Sequence, residues 1–84
     1  MVSRTITVKE VSGVHLRPAG RISEVSLHYK SKILIRKGDH TANAKSVLGL
    51  LAARIGQGDT IEIICEGEDE EEALEAVFCE VKGC

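Results

Sequence analysis

Apolar positions recur along the chain at two spacings, and the changes between them outline a set of elements. Thr5-Ile6-Thr7-Val8 alternates polar and apolar, as a strand with one wet face does. Val11-Ser12-Gly13 ends it, and a helix is expected to begin near Leu16–Pro18, because proline suits a first helical turn. Ala19, Ile22, Val25 or Ser26, and Tyr29 then recur at helical spacing, with Arg21, Glu24 and Lys30 mostly off that stripe. Lys32-Ile33-Leu34-Ile35-Arg36 is rich in β-branched residues and reads as a second strand. Gly38-Asp39 turns the chain into a short return strand, His40-Thr41-Ala42-Asn43.

Ser46 precedes the apolar run Val47–Ala53 and is a good N-cap, so a short helix is expected there, stopped by Gly56-Gln57-Gly58-Asp59. In Thr60–Glu66, Ile61, Ile63 and Cys65 share one face and Glu62, Ile64 and Glu66 the other. Gly67 breaks that strand. Asp69 is placed to cap a final helix, with Glu70, Glu71 and Glu72 near the positive end of its dipole and Leu74, Val77, Phe78 and Val81 as its apolar stripe.

The expected order is β-α-β-β-α-β-α in a single domain covering residues 1–84, with no linker or repeat. One-sided alternation in the strands calls for helices on one face only. The expected fold is therefore α/β of the α+β kind: an open-faced two-layer sandwich, a four-stranded antiparallel sheet covered on one face by three helices.

Composition narrows the function classes. With one Phe, one Tyr and no Trp, the core must be built from aliphatic residues. A net charge of -2 and so few aromatic residues argue against a nucleic-acid partner. No apolar run approaches the roughly 18 residues that would span a bilayer, so no membrane insertion is expected. The first residues lack the apolar stretch of a signal peptide, which makes the cytoplasm the expected compartment. Cys65, Cys79 and Cys84 fit neither a disulfide framework nor a metal knuckle, so Cys65 and Cys79 are expected to be small buried hydrophobes and Cys84 a terminal thiol. His28 and His40 show no ligand spacing and are expected at the surface; no metal and no cofactor are expected.

Candidate chemistry gathers in Gly13-Val14-His15-Leu16-Arg17-Pro18-Ala19. An imidazole stands just before a helix and a guanidinium follows two residues later. The first amides of a helix lack internal partners and, with the dipole, favour an anion. Leu16 and Arg17 supply that helix start, and Arg17 adds a planar fork suited to phosphate oxygens. The same positive end disfavours protonation of His15, leaving a ring lone pair able to attack phosphorus. Taken locally, the pair is also compatible with a capping imidazole and a solvated charge.

The segment closely resembles the G-[LI]-H-[AT]-R-P-A active-site motif of the HPr phosphocarrier family. Ala44-Lys45-Ser46-Val47-Leu48-Gly49-Leu50 is similar to that family's second signature, and Gly56-x-Gly58 and Glu66-Gly67-Glu68-Asp69-Glu70 fall in register with it. The resemblance covers nearly all the chain. It implies a bacterial phosphocarrier of the phosphoenolpyruvate-dependent sugar phosphotransferase system, a protein substrate and not an enzyme. Enzyme I would place a phosphoryl group on His15 Nδ1, Arg17 would stabilise its charge, and a sugar-specific enzyme IIA would remove it. Ser46 matches the serine that HPr kinase/phosphorylase modifies in many relatives, which brings a transcriptional regulator in as a further partner.

The resemblance also implies a partner-binding face of Leu16, Gly20, Arg21, Glu24, Val47, Gly49 and Leu51, with Val47 and Leu51 expected to point outward. Leu16 replaces a usually small residue, Gly20 stands where Ala or Thr is common, and Glu24 and Gly49 occupy positions that often carry Lys. A monomer is expected. The alternative is an HPr-like regulatory module, for carbon or nitrogen control, that acts by binding through Ser46 and the apolar helix. Retention of both His15 and Arg17 favours the carrier. A small RNA-binding domain is disfavoured by acidity and sparse aromatics.

Overall fold

A computed structural model describes residues 1–8, 16–55 and 58–82, and of residues 16–18 the backbone. The elements are β1 (Val2–Thr7), α1 (Leu16–Leu27), β2 (Lys32–Lys37), β3 (His40–Asn43), α2 (Val47–Ala52), β4 (Thr60–Glu66) and α3 (Glu70–Lys82). This is the expected order. The strands form one antiparallel sheet in the order β1-β4-β2-β3. Since β4 is antiparallel to both β1 and β2, those two run parallel, and the chain crosses from one to the other through α1. The hairpin of β2 and β3 turns at Gly38, whose φ of 58° suits a residue without a side chain.

Alternation places Ile61, Ile63 and Cys65 of β4 opposite Ile33 and Ile35 of β2 on the helix side, all of them buried. Ala19 and Ile22 of α1, Leu50 of α2, and Ala73, Leu74, Val77 and Val81 of α3 close the core over them. The opposite sheet face carries Ser3, Thr5, Glu62, Arg36 and Thr41, with half-buried Ile64 and Leu34 side by side among them. That face is not covered by any described helix, which makes the sandwich open-faced.

β1 starts earlier than its alternation suggests, because Arg4 interrupts the pattern. Val2, Arg4 and Ile6 pair with Cys65, Ile63 and Ile61, so Arg4 stands on the helix side of an edge strand. Its stem runs outward: the guanidinium lies 4.7 Å from the centre of the Phe78 ring and donates to Glu75 at 2.9 Å.

The buried serines are all hydrogen-bonded, Ser26 within its own helix and Ser23 and Ser31 to other parts of the chain. Ser26 donates to the Ile22 carbonyl at 2.7 Å, and Ser23 donates to the Lys45 carbonyl at 2.9 Å, joining α1 to the residue before Ser46. Ser31 is held by Asp69, which corrects one expectation. The Asp69 carbonyl does accept the first helical bond of α3, from the Ala73 N–H at 2.9 Å. Its carboxylate, however, turns away from that helix and accepts from the Lys30 and Ser31 amides, both at 2.9 Å, and from the Ser31 hydroxyl. These donors, the Ser31 hydroxyl foremost, hold the Asp69 carboxyl down at about 2. The Glu70 carboxylate instead reaches back to the Gly67 N–H at 3.1 Å.

The cysteines need a second correction. Cys65 is buried and free, and burial pushes its thiol up to about 11. Cys79 is half-buried and disulfide-bonded, not a buried thiol. An odd cysteine count does not exclude a single pair. Cys84 lies outside the described residues. His28 and His40 are exposed, as expected.

Candidate functional site

α1 begins at Leu16, the residue directly after His15. Gly13, Val14 and His15 lie outside the described residues, as do the side chains of Leu16, Arg17 and Pro18. The helix backbone shows what surrounds this start. The first turn of α1 contains no acidic residue, so no carboxylate of its own sequence competes for the unpaired amides and the positive dipole end. The contrast within the chain is α3, whose first turn holds Glu70, Glu71 and Glu72. The helix that follows His15 could therefore take an external anion at its start, a property it shares with α2, whose first turn also lacks an acidic residue.

Ser46 is the N-cap of α2. Its backbone is extended, at φ -113° and ψ 113°, and its Oγ accepts the Gly49 N–H at 3.1 Å. Asn43 prepares that geometry: its carbonyl accepts the Ser46 N–H at 2.9 Å and its side-chain oxygen accepts the Lys45 N–H at 2.9 Å. Gly49 packs closely here, since a Cβ at that position would lie 3.3 Å from Ser46 Oγ. A shallow groove of about 330 Å³ opens beside Ser46, lined in part by His40, Thr41, Asn43 and Ala52.

The phase of α2 differs from expectation. Leu50 is fully buried, and Val47 and Leu51 are half-buried against the core. Leu48 is the residue that points out, 80% exposed. A six-residue helix with apolar residues on most sides gives the sequence no polar stripe from which to set its rotation. Leu27, near the end of α1, is also exposed, which the sequence alone does not flag; it continues the spacing that passes through Gly20 and Glu24.

On α1, Glu24 is exposed and Gly20 half-buried, while the Arg21 guanidinium leans onto α3 and pairs with Glu80 at 3.3 Å. The Ser23–Lys45 bond brings α2 against the flank of α1 about two helical turns from its start, which is ~10 Å along the axis. The structure thus gathers Gly20, Glu24, Val47, Gly49 and Leu51 on two adjoining helices and turns Arg21 toward the third.

An antiparallel sheet covered on one face by three helices, one of which opens beside a histidine with no carboxylate in its first turn, is the architecture of a small phosphocarrier. Residues 2–79 match the family described as the PTS HPr component phosphorylation site, and the chain belongs to that family. It is 41% identical over 78 residues to the HPr-like protein Crh of Halalkalibacterium halodurans, covering 93% of each chain. It is 39% identical over 77 residues to the phosphocarrier protein HPr of Treponema pallidum, covering 92% of this chain and 88% of that one. The solved structure of HPr from Bacillus anthracis superposes with a TM-score of 0.91 at 37% identity, covering 96% of both chains. No described helix is long and apolar enough to cross a membrane.

Proposed function

We propose that this chain is a phosphocarrier of the phosphoenolpyruvate-dependent sugar phosphotransferase system, working in the cytoplasm as a protein substrate and not as an enzyme. The observation that carries the reading is the sequence His15-Leu16-Arg17 at the start of a helix without a carboxylate in its first turn. In the forward step the N–P bond of a phosphohistidine on enzyme I breaks as a new N–P bond forms at His15 Nδ1. Enzyme I regains its neutral imidazole, and a sugar-specific enzyme IIA later takes the group in the same way. Such a transfer needs little beyond in-line positioning and neutralisation of the oxygens. Arg17 and the first amides of α1 supply the neutralisation.

The test is phosphoenolpyruvate-dependent labelling with enzyme I. Wild type is expected to take up an acid-labile, base-stable label that His15→Ala loses. Equal labelling of the variant rejects His15 as the carrier. Arg17→Ala is expected to slow transfer while leaving the circular dichroism spectrum intact.

Regulation through Ser46 by an HPr kinase/phosphorylase, or use of the chain as a binding module for a transcriptional regulator, is the second reading. It is favoured by Ser46 standing half-exposed at a helix start, and by the similarity to a protein named as HPr-like. A phosphate there would meet the first amides of α2 and add about two negative charges beside the α1–α2 face. ATP-dependent labelling that Ser46→Ala abolishes supports it, and labelling that survives the substitution rejects it.

A further inference from the structure

The three cysteines of the chain differ in state. Cys65 is buried and free, and burial lifts its thiol to about 11, so at neutral pH it offers almost no thiolate for exchange. Cys79 is disulfide-bonded. Within one chain the sulfur that remains for it is that of Cys84, which lies outside the described residues. α3 ends at Lys82, short of Cys84, so a link between these positions does not have to bridge opposite sides of a continuous helix.

The described residues that such a link encloses are those by which the end of α3 grips the rest of the fold. Glu80 pairs with Arg21 of α1 at 3.3 Å, and Val81 is buried in the core. The Lys82 ammonium lies 5.8 Å from the centre of the Phe78 ring, which Arg4 of β1 also meets. Helix ends fray, and the last turn is the part of α3 that opens most easily. Closing residues 79–84 into a ring restrains that opening and removes freedom from the unfolded chain as well. In a cytoplasm, the compartment that the phosphocarrier reading gives this chain, thiols are kept reduced. Disulfides that do form there are usually transient and redox-sensing.

We propose that Cys79 and Cys84 form a reversible redox site, the substrate of a dithiol reductant, whose state sets how firmly the last turn of α3 holds α1. Cys79 shares a groove with Glu72 and Glu75, whose charges oppose an incoming thiolate, so the attack falls on the Cys84 sulfur. A new S–S bond joins the reductant to Cys84 as the bond to Cys79 breaks. The Cys79 sulfur leaves as a thiolate and takes a proton from solvent. The second thiolate of the reductant then attacks its own sulfur in the mixed disulfide, and Cys84 leaves and is protonated in turn. Two electrons have passed to the protein, and the reductant ends as a disulfide. Oxidised glutathione runs the exchange backward. Reduction thus frees Glu80 and, with it, Arg21.

The test uses the full chain, treated with oxidised glutathione or with dithiothreitol, then denatured and alkylated. The oxidised protein is expected to take up one alkyl group, at Cys65, and the reduced protein three. Trypsin with a glutamyl endopeptidase puts the three cysteines on separate peptides; those of Cys79 and Cys84 are expected to stay joined until reductant is added. Amide hydrogen exchange at Val81 and Lys82 is expected to be at least about 10-fold faster in the reduced protein. Cys84→Ser is expected to match the reduced wild type under both conditions. Three alkyl groups in the oxidised protein, a glutathione adduct in place of the link, or a dimer joined through Cys79 overturns the proposal. So does a link that dithiothreitol leaves intact in the native protein, or equal exchange in the two states. None of these readouts involves His15: a missing His15-dependent label rejects the phosphocarrier reading and leaves the thiol results standing.

Discussion

Gly67→Ala should be among the most damaging single-methyl additions in this chain. Gly67 follows β4 with φ at 153°, in backbone space that residues with a side chain avoid. A Cβ there would lie 2.6 Å from Ser31 Oγ and 2.7 Å from Ser31 Cα, well inside the range of ordinary contact. Ser31 cannot step back easily: it is buried, and both its amide and its hydroxyl are held by Asp69. The backbone strain costs about 1–3 kcal/mol. Overpacking against a fixed neighbour adds about 1–3 kcal/mol. The expected loss is thus ~2–6 kcal/mol, against a total of roughly 4–13 kcal/mol for a domain of this size. With a urea slope of about 1.5 kcal/mol/M, the midpoint should fall by at least about 1.3 M.

Gly38→Ala separates the two contributions. Gly38 also has a positive φ, 58°, but a Cβ there meets nothing within 4 Å. It should cost about 1 kcal/mol, the backbone part alone. If urea melts place Gly67→Ala within about 0.5 kcal/mol of Gly38→Ala, the close approach of Gly67 to Ser31 is refuted as the main source of the loss.

Ser46→Ala should destabilise by about 1 kcal/mol through loss of the cap on the Gly49 N–H, and Ser46→Asp should restore most of it; equal melts for all three would refute the cap. The Asp69 carboxyl titrates at about 2 in the fold against 3.8 for an unperturbed aspartate, so its contribution is present above pH ~4 and is lost as pH falls toward 2. Asp69→Asn should remove that limb from the stability–pH curve measured by urea melts at successive pH values. Arg54 carries a positive φ, 51°, just beyond α2, so Arg54→Gly should stabilise by up to about 1 kcal/mol, read as a rise in melting temperature. Leu48→Ala should leave stability within about 0.5 kcal/mol, because the side chain is exposed, yet lower kcat/KM for transfer from enzyme I; a large stability loss would show that Leu48 packs inward.

The sequence was most legible where one face of an element is dry and the other wet. β4 is the clearest case, since Ile61, Ile63 and Cys65 are buried while Glu62 and Glu66 reach water. Legibility failed where a polar group finds its partner far along the chain. Arg4 hides the start of β1 because its inward register is tolerated only through Glu75 and Phe78, over seventy residues away. Asp69 looks like a helix cap by position, and its three donors on Lys30 and Ser31 become visible only when the ends of α1 and β4 are brought together. For α2, Val47, Leu48 and Leu51 are alike in chemistry, so only packing decides that Leu48 is the one left in water. Of the candidate site, the helix start after His15 and the cap at Ser46 could be read locally, because both follow from short-range backbone chemistry.

The uncovered sheet ties recognition to packing in this protein. Because the helices form a single layer, the side of α1 and α2 opposite their exposed side chains rests directly on the strands, with no intervening shell to absorb a shift. A cavity at Ile22 or Leu50 would therefore shift the exposed side chains of the same helices, Glu24 and Leu48 among them, and in a phosphotransfer assay would register as weakened recognition by residues that are themselves buried. Scans of affinity along these two helices need a melting curve beside every variant before any position is assigned to the contact itself.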